Sequence, residues 1–229
     1  MWAWPSSRCL RAATGAAERR ALRMRPEAVL FDIGNVLVEW HPERVYDRLI
    51  GPEARERLFA EIDLDGMNRA VDRGAPMRAS VEALAARHPE RAVEIRIWAD
   101  RWAEMFSPVI DRSVRLLLAL RARGVPVFAL SNFGRETFQL AEAMHPFLRA
   151  FDRRFLSADL GVLKPEPGIY AAVEAATGLA PARLLFADDR AENVAVAAAR
   201  GWGVHHFTGP EGWAARLVAE GLLTEEEAR

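Results

Sequence analysis

Ala28-Val-Leu-Phe-Asp32-Ile-Gly34-Asn35-Val-Leu37 is the stretch on which the reading of the fold turns. Val29, Leu30 and Phe31 form a short apolar run without a helical period, the pattern of a buried strand. A carboxylate follows at once, and then a glycine. In open parallel α/β sheets, ligands sit outside the carboxyl ends of the strands, where Asp32 would lie. A single strand-end aspartate also serves to open a turn, so its meaning depends on what the other strands bring.

The same pattern returns downstream. Residues 125–130 and 184–187 read as buried strands, and each ends in polar residues: Ser131-Asn132 in one case, Asp188-Asp189 in the other. Shorter strand-like runs fall at 155–156 and 204–207. Helical segments lie between them: 114–123 before Gly124, a segment entered through Lys164-Pro-Glu-Pro167 and closed at Gly178, and 191–200 before Gly201. Strands alternating with helices imply right-handed crossovers and a parallel sheet of the α/β, Rossmann-like class. Asp32, Ser131-Asn132 and Asp188-Asp189 then converge on one edge.

Between the first and second strands the text changes character. Val36 to Trp40 reads as a short flap, and residues 43–112 read as an all-helical insertion or cap. Apolar residues recur there at helical spacing, with breaks at Gly51-Pro52, Gly74-Ala-Pro76 and His88-Pro89. Trp98, Trp102 and Phe106 fall on one such face and read as packing residues, with one of them a candidate for the cleft wall. The α/β core is therefore expected to comprise residues 26–42 and 113–229. Residues 1–25 are rich in Arg and Ala and poor in acids. We expect them to lie outside the fold, as a targeting stretch or an upstream start, with Met24 just before the first strand.

Totals bound the function. A chain of 229 residues with 51% hydrophobic and 28% charged residues is a globular one. A net charge of −1 leaves no electrostatic footprint for nucleic acid or anionic membrane, and no apolar run reaches membrane-spanning length. Cys9 is the lone cysteine, which fits a reducing compartment such as the cytoplasm. Nothing in the sequence fixes the number of subunits. Of 31 basic residues a single one, Lys164, is a lysine. A drift toward arginine this strong replaces lysines whose only task is to be positive, so Lys164 is a candidate for chemistry that needs a compact point charge.

Carboxylates gathered at one edge repel one another and call for a cation, and hard oxygen ligands without His or Cys favour Mg²⁺ over zinc. A serine hydroxyl, a backbone N–H and a lysine ammonium make a cradle for an oxyanion or phosphate. Asp32 is then the carboxylate in position to attack. His205 and His206 lack metal-ligand company and read as structural.

Phe31-Asp-Ile-Gly-Asn-Val-Leu37, Leu130-Ser-Asn132, Lys164-Pro-Glu-Pro-Gly-Ile-Tyr170 and Phe186-Ala-Asp-Asp-Arg-Ala-Glu-Asn193 resemble, in order, the four motifs of the haloacid dehalogenase superfamily. The helical insertion matches the position of that family's small cap. The resemblance implies a phosphatase acting on a small phosphorylated metabolite through an aspartyl-phosphate. Asp32 would be the nucleophile, and Ser131, Asn132 and Lys164 would hold the phosphoryl group. Asp32, Asp189 and the Gly34 carbonyl would hold Mg²⁺, with Asp188 supporting them from behind.

One position departs from the pattern. Phosphatases of this family usually carry a second aspartate two residues after the nucleophile as general acid and base, and here that residue is Gly34. The Asp-x-Gly-Asn pattern resembles a sugar-phosphate phosphatase subgroup, with water or His41 covering the missing role. Two further readings stand beside it. A 2-haloacid dehalogenase uses the same nucleophile without metal, although Asp188-Asp189 argue for the phosphatase. A non-catalytic phosphate-binding protein would explain Gly34 but not the retention of Asp32, Lys164 and Asp189.

Overall fold

The computed structural model describes residues 25–229, so the N-terminal extension read from the sequence lies outside the described residues but for Arg25. Strands β1 (Ala28–Phe31), β4 (Val127–Ser131), β5 (Arg153–Leu156), β6 (Leu184–Asp188) and β7 (Gly203–His206) form one sheet. Its order is β5-β4-β1-β6-β7 and every pairing is parallel. The first strand in the chain is thus the central one. Its four residues are fully buried, as expected of a strand covered on both faces.

The covering layers follow from the alternation of side chains along the strands. Val29, Phe31, Val127 and Ala129 face helices α7 (Asp111–Ala122) and α12 (Pro210–Ala219), where Leu116, Leu117, Leu120, Trp213 and Leu217 meet them. Leu30, Phe128, Leu130 and Phe186 face α10 (Pro167–Thr177) and α11 (Ala191–Ala199), against Ile169, Tyr170, Val173 and Ala197. Register then sets the site. Phe31 pairs with Ala187, so Asp32 and Asp188 leave neighbouring strands at one level, and the Asp32 N–H donates to the Ala187 carbonyl at 2.9 Å.

Six helices fill the interval between β1 and α7: α1 (Pro42–Ile50), α2 (Pro52–Glu61), α3 (Leu64–Asp72), α4 (Met77–Arg87), α5 (Ala92–Asp100) and α6 (Trp102–Met105). They are joined to the core by an antiparallel ribbon of β2 (Val38–Trp40) and β3 (Phe106–Val109). This corrects the uninterrupted helical reading of residues 43–112. Phe106, at helical spacing from Trp102, opens a strand paired with Trp40. Pro108 accounts for the change, because it lacks an N–H and disfavours helical backbone at Ser107. The helices end at Met105, and α7 belongs to the core.

Aromatic contacts bind this stem to both sides. Trp40 lies 5.9 Å from both Trp98 and Trp102, Trp102 stacks on Phe106 at 5.3 Å, and Phe106 meets Phe133 edge-on at 5.4 Å. A second seam runs along the end of α3. The Ser157 hydroxyl, at the start of α9 (Ser157–Leu160), donates to the Asp72 carbonyl at 2.5 Å, and Arg73 pairs with Glu166 at 2.5 Å. Beyond it, the Met77 N–H reaches Glu136 in α8 (Arg135–Met144) at 3.0 Å.

Gly134 lets the two parts approach. A Cβ there would meet Val71 Cγ1 at 2.8 Å, Thr137 Oγ1 at 2.9 Å and the Val71 carbonyl at 3.0 Å. Gly134→Ala is therefore expected to destabilise the protein by about 1–3 kcal/mol, the usual cost of overpacking, as read by urea unfolding. A neutral result would mean that the seam is looser than this packing implies.

Candidate active site

Asp32 stands at the end of the central strand with both oxygens engaged. Oδ1 accepts the Ile33 N–H and the Ser131 hydroxyl, each at 2.7 Å, and Oδ2 lies 2.9 Å from Lys164 Nζ. Lys164 is buried and also reaches Asp188 Oδ2 at 2.6 Å, so one ammonium bridges two strand ends. Burial pushes the lysine pKa down, but Asp188 and Asp32 outweigh it and hold the group above its ordinary value. The remaining acceptor capacity of Asp188 is taken by the Arg190 N–H at 2.8 Å and the Asn193 amide at 2.9 Å.

Asn132 and Lys164 clasp each other. The Lys164 N–H donates to Asn132 Oδ1 at 2.7 Å, and Asn132 Nδ2 donates to the Lys164 carbonyl at 3.0 Å. The side chain of Asn132 thus holds the lysine loop in place, while the residue also lines the cavity. Asp189 receives the Asn35 amide at 3.2 Å. Asn35 sits in the left-handed region at φ 56, a conformation asparagine tolerates, and its Oδ1 accepts the Trp40 N–H at 2.9 Å. The turn after Asp32 therefore ties the Asp189 carboxylate to the stem of the cap.

These groups line a cavity of about 200 Å³ between core and helices. Asp32, Gly34, Ser131, Asn132, Lys164 and Asp189 form its floor; Trp40, Asn68, Asp72, Trp102 and Phe106 come from the stem and cap side. The structure brings together Asp32, Gly34, Ser131, Asn132, Lys164 and Asp189, with Asp188 bonded to Lys164 from behind. His41 is not among the lining residues, and its ring lies 3.6 Å from Glu39. Sequence reading missed Asn35, Asn193 and the polar face of α3. Asp65, Asn68, Arg69 and Asp72 recur there at helical spacing, a signal that was available.

The charge balance fits a cation. Asp32, Asp188 and Asp189 each place an oxygen within 4.8 Å of the others, against the single ammonium of Lys164. Burial first, and then Asp188 and Asp189, push Asp32 up to about 7, although Lys164 and Ser131 act in the other direction. Asp189 is raised by burial and by Asp188. Donors that are all hard carboxylate oxygens suit Mg²⁺.

A family model for haloacid dehalogenase-like hydrolases matches residues 26–201. The chain belongs to that family. Among relatives of this hydrolase, the enolase-phosphatase E1 of Acidiphilium cryptum is 29% identical over 205 residues, covering 82% of this chain and 87% of that one. A haloacid dehalogenase-family enzyme of Bacteroides thetaiotaomicron, solved with magnesium and inorganic phosphate, shares the fold at a TM-score of 0.66 and 23% identity, over 83% of this chain and 98% of its own. The L-2-haloacid dehalogenase of Xanthobacter autotrophicus superposes at a TM-score of 0.58 and 20% identity, over 86% and 84%. Among the described residues no helix is long and apolar enough to cross a membrane.

Two measurements test the electrostatics of this hydrolase. Saturating Mg²⁺ should raise the melting temperature of the wild type, by about 2.7 kcal/mol of stability at a hundredfold excess over Kd, and should barely move Asp189→Ala. Without metal, Asp32 is raised above its unfolded value, so the folded state holds more protons between about pH 4 and 7 and loses stability as pH rises through that window. The stability of Asp32→Asn relative to wild type should therefore improve steadily from pH 4 to pH 7, and a flat difference would refute this account.

Proposed function

We propose that this hydrolase is a Mg²⁺-dependent phosphatase acting on a small phosphorylated metabolite of sugar-phosphate type through an aspartyl-phosphate on Asp32. The observation that carries the reading is the Asp32 carboxylate held between the Ser131 hydroxyl and the Lys164 ammonium, with Asp189 beside it. Ser131 and Lys164 are donors spaced to grip phosphoryl oxygens. When phosphate enters they can turn from Asp32 to the substrate, which frees an Asp32 oxygen to attack phosphorus. Asp32, Asp189 and the Gly34 carbonyl would hold Mg²⁺, with Asp188 anchoring Lys164 behind them. Bound there, the metal would offset the repulsion between the attacking carboxylate and an anionic phosphate.

The remaining steps belong to the chain. Asp32 displaces the leaving alcohol, and water then attacks the aspartyl-phosphate to release phosphate and restore the carboxylate. The cap closes the cavity and limits water to that second step. Trp40 and Trp102 offer apolar walls to the leaving group, and Arg69 places a guanidinium at its rim. The relative named enolase-phosphatase and the fold-mate solved with magnesium and phosphate support the class of reaction. The lone cysteine supports a cytoplasmic setting. The dehalogenase likeness supports the alternative, but three carboxylates gathered within reach of one cation favour chemistry that uses a metal.

Phosphate release from a panel of sugar phosphates and from nitrophenyl phosphate, with and without Mg²⁺, tests the proposal. Turnover should require the metal and should fall on the order of 10⁴-fold or more in Asp32→Asn. Halide release from 2-haloacids in place of phosphate release would establish the dehalogenase. Neither product would make the chain a phosphate-binding protein.

A further inference from the structure

With glycine at position 34, the floor of the cavity has no group placed to protonate the departing oxygen. Lys164 is locked between two carboxylates, and the Ser131 hydroxyl is committed to Asp32. Thr137 Oγ1 donates to the Gly134 carbonyl at 3.0 Å. On the cap side, Asp65 and Arg69 are solvent-exposed. Asp72 differs from both. It lines the same cavity as Asp32, from the opposite wall, and it is partly buried.

Its position is fixed from three directions. The Trp98 indole N–H donates to Asn68 Oδ1 at 3.2 Å, and Asn68 Nδ2 donates to Asp72 Oδ2 at 3.1 Å. The Asp72 carbonyl is held by Ser157, whose hydroxyl oxygen also accepts the Phe133 N–H at 2.9 Å. Val71, one residue earlier, is pressed against Gly134. A relay from the core of the cap thus holds Oδ2, while the residue lines the cavity it shares with Asp32.

We propose that Asp72, delivered from helix α3 of the cap, is the general acid of this enzyme and replaces the carboxyl missing at Gly34. The inference rests on the phosphatase reading. As Asp32 bonds to phosphorus, the bond from phosphorus to the leaving oxygen breaks, and that oxygen takes the proton from Asp72 and departs as the alcohol. Asp72, now a carboxylate, accepts a proton from the water that attacks phosphorus. The bond between phosphorus and Asp32 breaks, phosphate leaves, and both carboxyl groups return to their starting states. Burial pushes Asp72 up to about 7, helped by Asp65 on its own helix and Asp32 across the cavity. The Gly134 N–H and Arg69 pull the other way. A value near the working pH suits a group that must both give and take a proton. Protonation would then wait for the cap to be seated.

The test is the dependence of kcat/KM on the leaving group, from nitrophenyl to simple alkyl phosphates, in wild type and Asp72→Asn with Mg²⁺ present. This constant reports steps up to alcohol release. Nitrophenolate departs without help and alkoxides do not. The variant should lose about 10²–10⁴-fold on alkyl phosphates and much less on nitrophenyl phosphate, which steepens the dependence. An equal loss on every substrate, or no loss on any, overturns the role. If Asp72→Asn fails to fold by circular dichroism, Asp72→Glu carries the test: a carboxyl displaced by one methylene should steepen the dependence to a lesser degree, and an unchanged slope overturns the proposal. Wild-type turnover of nitrophenyl phosphate separates the two claims. Its absence together with that of every other phosphate ester refutes the phosphatase reading, whereas phosphate release with an unaltered slope refutes Asp72 alone.

Discussion

The ammonium of Lys164 bridging Asp32 and Asp188 is the interaction on which the site depends. Parallel pairing of β1 with β6 brings two carboxylates to one level on adjacent strands, both of them buried. Two like charges cannot be kept there without a compact cation, and removing one partner of such a buried arrangement commonly costs 3–5 kcal/mol. An arginine would bring a broad, planar head in place of a point charge. That steric and electrostatic demand explains why a chain otherwise converted to arginine keeps one lysine. The loop carrying it is in turn clasped by Asn132, so the ends of β4, β1 and β6 are joined through the single residue Lys164.

One cation against three carboxylates is still a deficit, and the deficit is informative. Burial, Asp188 and Asp189 raise Asp32 to about 7 against the pull of Lys164 and Ser131, and added positive charge would lower it. Crowding like charges at a buried strand edge costs stability. Local strain of this kind concentrates where chemistry is done.

Much of this could be read from the sequence because it is local. The apolar runs ending in Asp32, Ser131 and Asp188 each announce a strand and its catalytic edge within a few residues, and the lysine bias singled out Lys164. What was misread depends on partners distant in the chain. Phe106 kept the helical period of Trp98 and Trp102, yet it pairs with Trp40, and only Pro108 betrayed the change. The side-chain amide of Asn132, which also lines the cavity, clasps a loop 32 residues later, a bond that its place after β4 does not announce. Asp72 was visible as part of a polar stripe on α3, but which cavity that stripe would face follows from the docking of Val71 on Gly134, and spacing says nothing about docking.

The ribbon of β2 and β3 has a consequence for how such a chain is made. Because the excursion from Pro42 to Met105 leaves and returns through paired strands, its two ends are neighbours, and the sheet meets it as a closed loop of fixed mouth. Closing a longer loop costs little more entropy than closing a short one, about 0.6 kcal/mol for each doubling. The insertion can therefore be lengthened, shortened or exchanged with little penalty to the sheet. Asp32, Ser131, Lys164 and Asp189 stay where the strands put them, while the residues that meet the rest of the substrate are free to vary.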